Sequence, residues 1–378
     1  MKKKITYKEA GVDIDLGDTC SKIMYEAARK TWVNRKGFIG EVVTPFDDFS
    51  GLRYVNISGL KGVGMNLNLD GVGTKIEIAE RLSNWTGDYS HHQGIAFDLF
   101  AMVCDDAVVR GAEPVIVGSI LDVNSLNVTL IENLAEGMLS AAKEARVAVV
   151  NGEIAELGER ISGYGDYNYN WGAVVVWMAN SDKLLTGHNI RPGDAIVSLR
   201  EHGFRSNGLS LVRRILTQCC GDKWHEKDFR GENMAKIAAT PSKIYSGFII
   251  DIIGGYGKEA KAEVKAIAHI TGGGIPGKLG RALKPSGCGA DIPDPFEPAD
   301  LMLRCQELGY IDDGEAYRTW NMGNGMMIIT DQPEEIIRLT KEHAIGAKIA
   351  GEVVQKPGIR IHSKGVYSEK NPELDFSV

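Results

Sequence analysis

Short apolar runs that break off at glycines and carboxylates recur along this chain, separated by longer segments with helical apolar spacing. That alternation is the strongest constraint on the fold, because strands alternating with helices pack as α/β layers. Thr19 to Thr31 reads as an amphipathic helix, followed by strands around Tyr54 to Ile57 and Met65 to Leu69. Gly94 to Arg110 has a strong helical pattern, Val115 to Leu121 reads as a strand, Val128 to Ala145 as a helix, and Val147 to Val150 and Gly172 to Ala179 as buried strands. Ser181 is expected to cap a short helical segment that stops before the turn Arg191-Pro192-Gly193-Asp194. The pattern then restarts with a strand Ala195 to Leu199, helices Leu209 to Gln218 and Lys243 to Ile253, and a strand Val264 to Ile270. With 378 residues the chain exceeds the ~250–300 at which single cores usually split. The expectation is an α/β protein with mixed (α+β) sheets and two domains, residues 1–180 and 181–378.

Composition narrows the function. The 45 glycines exceed the usual share of ~7% and fall in short clusters, which suits backbone that approaches a ligand closely. A formal net charge of −7 gives no general attraction to polyanions, so nucleic acid is not the expected partner. The start of the chain lacks the apolar stretch of a secretory signal and no apolar run is long enough to span a bilayer, so no membrane association is expected. Cys20, Cys104, Cys219, Cys220, Cys288 and Cys305 form no CxxC pair or zinc-ligand spacing. Reduced thiols and a cytoplasmic address follow. His91-His92 is expected to be an exposed helix entry, and the alternation of Tyr167, Tyr169 and Trp171 to be sheet packing.

Four places carry chemistry. In Asp70-Gly71-Val72-Gly73-Thr74-Lys75 the glycines let the backbone fold tightly, Asp70 can hold a metal, and Thr74 and Lys75 can meet phosphate oxygens, although an ordinary glycine-rich turn looks the same. Asp98, Asp105 and Asp106 lie on one predicted helix at offsets of seven and eight, which gathers carboxylates on one face among apolar neighbours. Such carboxylates must be paired, protonated or bound to a cation, and magnesium is an economical partner. Asn151-Gly152-Glu153 emerges from a buried strand, where ligands of open α/β sheets commonly sit, although acids at a helix start are equally ordinary there. His269-Ile270-Thr271-Gly272-Gly273-Gly274 exposes backbone N–H groups suited to an anion, with His269 as a candidate proton-transfer group.

Seven segments in order, Tyr7 to Asp15, DGVGTK at Asp70 to Lys75, RGAEP at Arg110 to Pro114, GEIAE at Gly152 to Glu156, SNGLSLVR at Ser206 to Arg213, HITGGG at His269 to Gly274 and YRTWNMGNGM at Tyr317 to Met326, resemble the phosphoribosylformylglycinamidine cyclo-ligase (aminoimidazole ribonucleotide synthetase) family. The resemblance implies a homodimer whose N-terminal domains pair their sheets into a shared β-barrel, with ATP near the interface. It implies ATP-dependent ring closure of formylglycinamidine ribonucleotide, with magnesium on Asp70 and Asp106, and Asp98 and Glu153 as additional metal groups. Asp70, Gly71, Gly73, Thr74 and Lys75 would meet the nucleotide, Lys75, Asp106 and His269 would act in catalysis, and Ser206, Asn207, Thr271, Gly272, Gly273 and Gly274 would hold the ribonucleotide.

The chain also departs from that family. Arg205 replaces the usual His before Ser-Asn-Gly and cannot exchange protons near neutrality. Asp105-Asp106 replaces Asn-Asp, and the extra carboxylate is expected to strengthen cation binding. Rival readings are a kinase or phosphate-activating enzyme similar to thiamine-monophosphate kinase or selenophosphate synthetase, or a non-catalytic nucleotide-binding relative.

Overall fold

The protein was analysed as a computed structural model that describes residues 14–42, 55–57 and 62–377. Tyr7 to Asp13 of the first family-like segment, and Tyr54 of the expected strand, lie outside the described residues. Helix α1 (Ile14–Thr31) is followed by two-residue strands β1 (Glu41–Val42) and β2 (Val55–Asn56), then by β3 (Val63–Gly71). Next come α2 (Ile76–Thr86), α3 (Gln93–Val108), β4 (Glu113–Val123), α4 (Val128–Ala145), β5 (Ala148–Glu156) and β6 (Tyr169–Asn180). The side chain of Asn127 caps α4 by accepting the Leu130 N–H at 2.9 Å, and Arg146, in the left-handed region at φ 59, ends it. Ser181 is not the cap expected of it: Asn180 accepts the Asp182 N–H at 3.2 Å and starts a single 3-10 turn.

These strands form a four-stranded sheet in the order β3-β6-β4-β5, antiparallel except for β4 and β5, which run parallel across the α4 crossover. Inward residues such as Val117, Leu121, Trp171 and Val175 join α3 and α4 in one core.

The second half contains β7 (Ala195–Arg200), α5 (Leu209–Cys220), a small hairpin β8 (Asp228–Phe229) and β9 (Glu232–Asn233), α6 (Met234–Ala238), α7 (Ser246–Ile253), β10 (Ala266–His269) and α8 (Gly274–Leu283). It ends with β11 (Gly289–Ile292), α9 (Asp300–Gly309), α10 (Asp313–Thr319), β12 (Asn324–Thr330), α11 (Pro333–Thr340), β13 (Ala347–Val354), β14 (Ile359–His362) and β15 (Glu373–Phe376). Its seven-stranded sheet runs β10-β12-β7-β13-β11-β14-β15, with β11 and β14 its parallel pair. Helix α7 starts later than the expected Lys243, because the peptide groups of Lys243 to Ser246 bond instead to Glu201, Arg205 and Asp105.

Helix α3 joins the halves. It is apolar on all sides, as a helix buried all round must be. On one side it meets α4, β3 and β6, and on the other α7 and β10. At its entry His92 is buried, not exposed: Nδ1 lies 2.9 Å from Tyr169 Oη and Nε2 3.0 Å from Ser83 Oγ.

Burial lowers the His92 pKa to about 3. The unfolded chain takes up this proton below pH ~6.5 and the native state does not, so the group costs stability as pH falls from 6.5 towards 3. The slope is about 1.4 kcal/mol per pH unit. Urea unfolding at pH 7.5 and 5.0 should therefore show His92→Gln losing about 2 kcal/mol less than wild type on acidification. Parallel losses in the two proteins would refute a neutral buried imidazole.

Candidate active site

Strand β3 runs out at Asp70 and Gly71, where Asp70 Oδ1 accepts the Gly71 N–H at 2.7 Å and the Val72 N–H returns to the Trp171 carbonyl at 3.1 Å. Gly73, at φ 71, turns the chain into a 3-10 turn, and Thr74 Oγ1 meets Ser210 Oγ of α5 at 2.9 Å. The glycine turn of the first half thus abuts the Ser206-Asn207-Gly208 loop of the second. Asn207 Nδ2 lies 3.9 Å from Met102 Sδ on α3, and a Cβ on Gly272 would stand 3.5 Å from Asn207 Oδ1, so α3 and the two later loops also converge here.

Beside this junction Asp106, His269, Lys278, Arg110, Arg281 and Asn68 line an interdomain cleft of ≈ 200 Å³. Asp70 shares the face of β3 with Asn68 and is electrostatically coupled to Asp106, His269 and Lys278. Partial burial and the charge of Asp106 hold the Asp70 carboxyl above its ordinary range, against the Gly71 hydrogen bond. Asp106 goes the other way: burial opposes ionisation, but the His269 hydrogen bond at 2.6 Å holds its carboxyl below the usual range. Arg110, Lys278 and Arg281 have no carboxylate partner among the described residues, so the cleft holds Asp106 among cations that no carboxylate neutralises, with Asp70 coupled to it from β3.

Several expected site residues are placed elsewhere. Lys75 is fully buried, with Nζ donating to Asp98 Oδ1 at 2.7 Å and to the Thr240 carbonyl at 2.6 Å, so its ammonium faces no cleft. Asp98 accordingly has an ammonium for its cation, and the same Oδ1 accepts the Ser242 N–H at 3.1 Å. Asp105 does not join Asp106 in cation binding. Its Oδ1 accepts the Tyr245 and Ser246 N–H groups at 2.9 and 2.8 Å, and its Oδ2 pairs with Arg205 at 2.9 Å. Sheet register puts Glu153 opposite Ile120, on the face of the sheet away from Asp70. His269, the candidate proton-transfer group, is buried with both ring nitrogens engaged, Nδ1 by Asp106 and Nε2 by Arg205. Gly274 is a packing glycine: a Cβ there would overlap the Tyr317 carbonyl. Gly272 and Gly273 remain exposed before α8, Thr271 is buried, and Ser206 Oγ is buried without a hydrogen-bond partner.

Lys278, in no recognisable motif, also reaches the cleft. Its one signal was position, one turn into the helix that follows the glycines. Among the described residues no group of three or more His, Cys, Asp or Glu is arranged to hold a metal. Asp70 and Asp106 are a two-carboxylate set, which fits magnesium completed by water and substrate phosphates better than an all-protein cage.

The family models for the N-terminal and C-terminal domains of AIR synthase related protein match residues 57–182 and 191–364. The chain belongs to the AIR synthase related family. Within it, the chain is 31% identical to a phosphoribosylformylglycinamidine cyclo-ligase of Methanocaldococcus jannaschii, over 98% of this chain and 100% of that protein. It is also 31% identical to the enzyme of that name from Methanococcoides burtonii, over 95% and 97%. Among solved structures, E. coli HypE (15% identity, TM-score 0.58, 94% and 96% covered) and thiamine-monophosphate kinase from Stenotrophomonas maltophilia (13%, 0.58, 89% and 95%) share the fold.

If Lys75 serves the Asp98 pair and not a phosphate, Lys75→Met should act mainly on stability. Removing one partner of a buried pair costs about 3–5 kcal/mol, whereas Lys75→Met with Asp98→Leu should recover most of that loss. Chemical denaturation of the three variants checks this. A Lys75→Met protein of unchanged stability would mean that the ammonium is not committed to Asp98.

Proposed function

We propose that this protein closes the imidazole ring of formylglycinamidine ribonucleotide at the expense of ATP, giving aminoimidazole ribonucleotide, ADP and phosphate in purine biosynthesis. The observation that carries the reading is the coupled pair Asp70 and Asp106 at a cation-rimmed interdomain cleft in a chain aligned end to end with cyclo-ligases. The formyl amide oxygen attacks the γ-phosphorus and the phosphoanhydride bond breaks. The amidine nitrogen then attacks the activated carbon, and the oxygen leaves as phosphate. Asp70 and Asp106 would hold magnesium, which would supply charge neutralisation for the phosphoryl group. The protein's own part is positioning. The turn Gly71 to Thr74 orients the nucleotide, and Arg110, Lys278 and Arg281 attract the phosphates. Ser206, Asn207 and the N–H groups of Thr271 to Gly273 hold the ribonucleotide. The first domain, residues 1–180, then serves the nucleotide and the second the ribonucleotide. All six cysteines are free thiols, in keeping with a reducing cytoplasmic setting.

The working unit in this reading is a homodimer. Met65, Leu67 and Leu69 of β3 are 68%, 48% and 70% exposed, and register aligns them with Val174, Val176 and Met178 of β6, with Ile120 of β4 49% exposed on the same face. A contiguous apolar face of this kind marks an interface. A second copy of the sheet covers it and closes a barrel.

Given magnesium, ATP and formylglycinamidine ribonucleotide, the protein should release ADP and aminoimidazole ribonucleotide in equal amounts, and Asp106→Ala should abolish both. ADP release that ignores the ribonucleotide and follows another acceptor would favour a kinase of the same fold. Sedimentation should give a dimer for wild type and a monomer for Leu67→Asp combined with Leu69→Asp. A wild-type monomer at micromolar concentration would sink the shared barrel.

A further inference from the structure

Arg205 is fully buried and stands in the left-handed backbone region at φ 57, an unusual place for a long charged side chain. Its surroundings specify its orientation. Nη1 donates to Glu201 Oε2 and to the Lys243 carbonyl, each at 2.8 Å, and Nη2 donates to Asp105 Oδ2 at 2.9 Å. Glu201 is fixed in turn by the N–H groups of His202 and Gly203 at 2.9 and 3.3 Å. Asp105 is held by three donors, the Tyr245 and Ser246 N–H groups at Oδ1 and Arg205 at Oδ2. A guanidinium clamped between two carboxylates and a carbonyl cannot rotate freely.

The same Nη2 lies 2.7 Å from His269 Nε2. A guanidinium has donors only, so Nε2 must accept. A neutral imidazole that accepts at Nε2 carries its proton on Nδ1, and Nδ1 stands 2.6 Å from Asp106 Oδ1. In the other tautomer a lone pair would face the carboxylate and turn it away. Asp106 Oδ2 makes no hydrogen bond among the described residues, and the residue lines the cleft.

We propose that Arg205 is a positioning residue: by donating to Nε2 it fixes His269 as the Nδ1–H tautomer, which anchors Asp106 through one oxygen and leaves the other for a ligand in the cleft. The inference rests on the proposed function only in taking Asp106 as the working carboxylate. Asp105 belongs to the device as the counter-ion that holds the guanidinium at this angle. The two residues that depart from the family pattern on either side of the interface are thus one ion pair.

The test combines a spectroscopic and a kinetic arm. Long-range ¹H–¹⁵N NMR, with the His269 signals assigned by loss in His269→Asn, should show the Nδ1–H tautomer in wild type and its loss in the charge-balanced variant Asp105→Asn/Arg205→Gln. That variant should lose about 10²-fold in kcat with the ribonucleotide KM within about twofold, and Arg205→Lys with Asp105 intact should recover part of kcat. An Nε2–H tautomer in wild type, or wild-type kcat in a variant whose tautomer has changed, overturns the proposal. If the double variant fails to fold, the wild-type spectrum together with Arg205→Lys decides by the same criteria. A wild-type protein with the Nδ1–H tautomer and no cyclo-ligase turnover would refute the function and leave the positioning intact.

Discussion

Two fully buried carboxylates on one apolar helix, Asp98 and Asp105, have to be compensated without water. Helix α3 is buried from both sides, and uncompensated charge in such a place costs several kcal/mol. The second half of the chain supplies much of the answer. Asp98 receives the Lys75 ammonium and the Ser242 backbone, and Asp105 receives the Arg205 guanidinium and the peptide N–H groups at the start of α7. The positive end of α7 adds to the second of these. Burying the charge and docking the domains are therefore linked, since both carboxylates lose their backbone donors if the Thr240 to Ser246 segment moves.

The chemistry at the cleft follows from that arrangement. With Asp98 and Asp105 paired to fixed cations, Asp106 is the carboxylate of the helix that brings an unbonded oxygen to the cleft, since the unbonded Oδ2 of Asp98 is buried, and it sits about a hundred degrees of helix turn from its neighbour Asp105. One residue faces the interface and the next faces the cleft. Burial, with the charge of Asp106 added to it, raises the Asp70 carboxyl, and the His269 hydrogen bond lowers that of Asp106, so the two carboxylates are electrostatically distinct before any ligand arrives. A cation between them would relieve the repulsion on Asp70 while leaving the His269 bond to Asp106 in place.

Several elements of the first half were legible in the sequence because they are long and strongly patterned, whereas helix α2 was not among the expected elements. The expected helix Val128 to Ala145 has those limits, and the expected helix Gly94 to Arg110 is shifted by one or two residues. The meeting of the Asp70 turn, the Asn207 loop and the Gly272 loop could be read only through the resemblance, since nothing local tells a chain which distant loops it will touch. What could not be read was which charges would neutralise each other. The seven-residue spacing placed Asp98 and Asp105 together but could not say whether the face met metal, water or another domain. Lys75 followed a glycine turn in the manner of a phosphate-binding lysine, and only the packing of Thr240 and Asp98 over it shows the ammonium enclosed. His92 beside His91 looked like a polar doublet, yet Tyr169 and Ser83 gave one ring two internal partners.

Strand β3 ties the site to the outer surface. Its side chains alternate, so Met65, Leu67 and Leu69 point away from the helices while Asn66, Asn68 and Asp70 point towards them. Asn68 accepts the Trp177 indole N–H at 3.3 Å, which pins the register on the inner face. A slip of one residue would exchange the two sets, burying Asp70 in an apolar interface and turning the leucines onto the cleft. The hydrophobic demand of one face and the electrostatic demand of the other thus select the same register. In a dimer closed over the outer face, that register would be held from both sides, and the carboxylate at the end of the strand would be held with it.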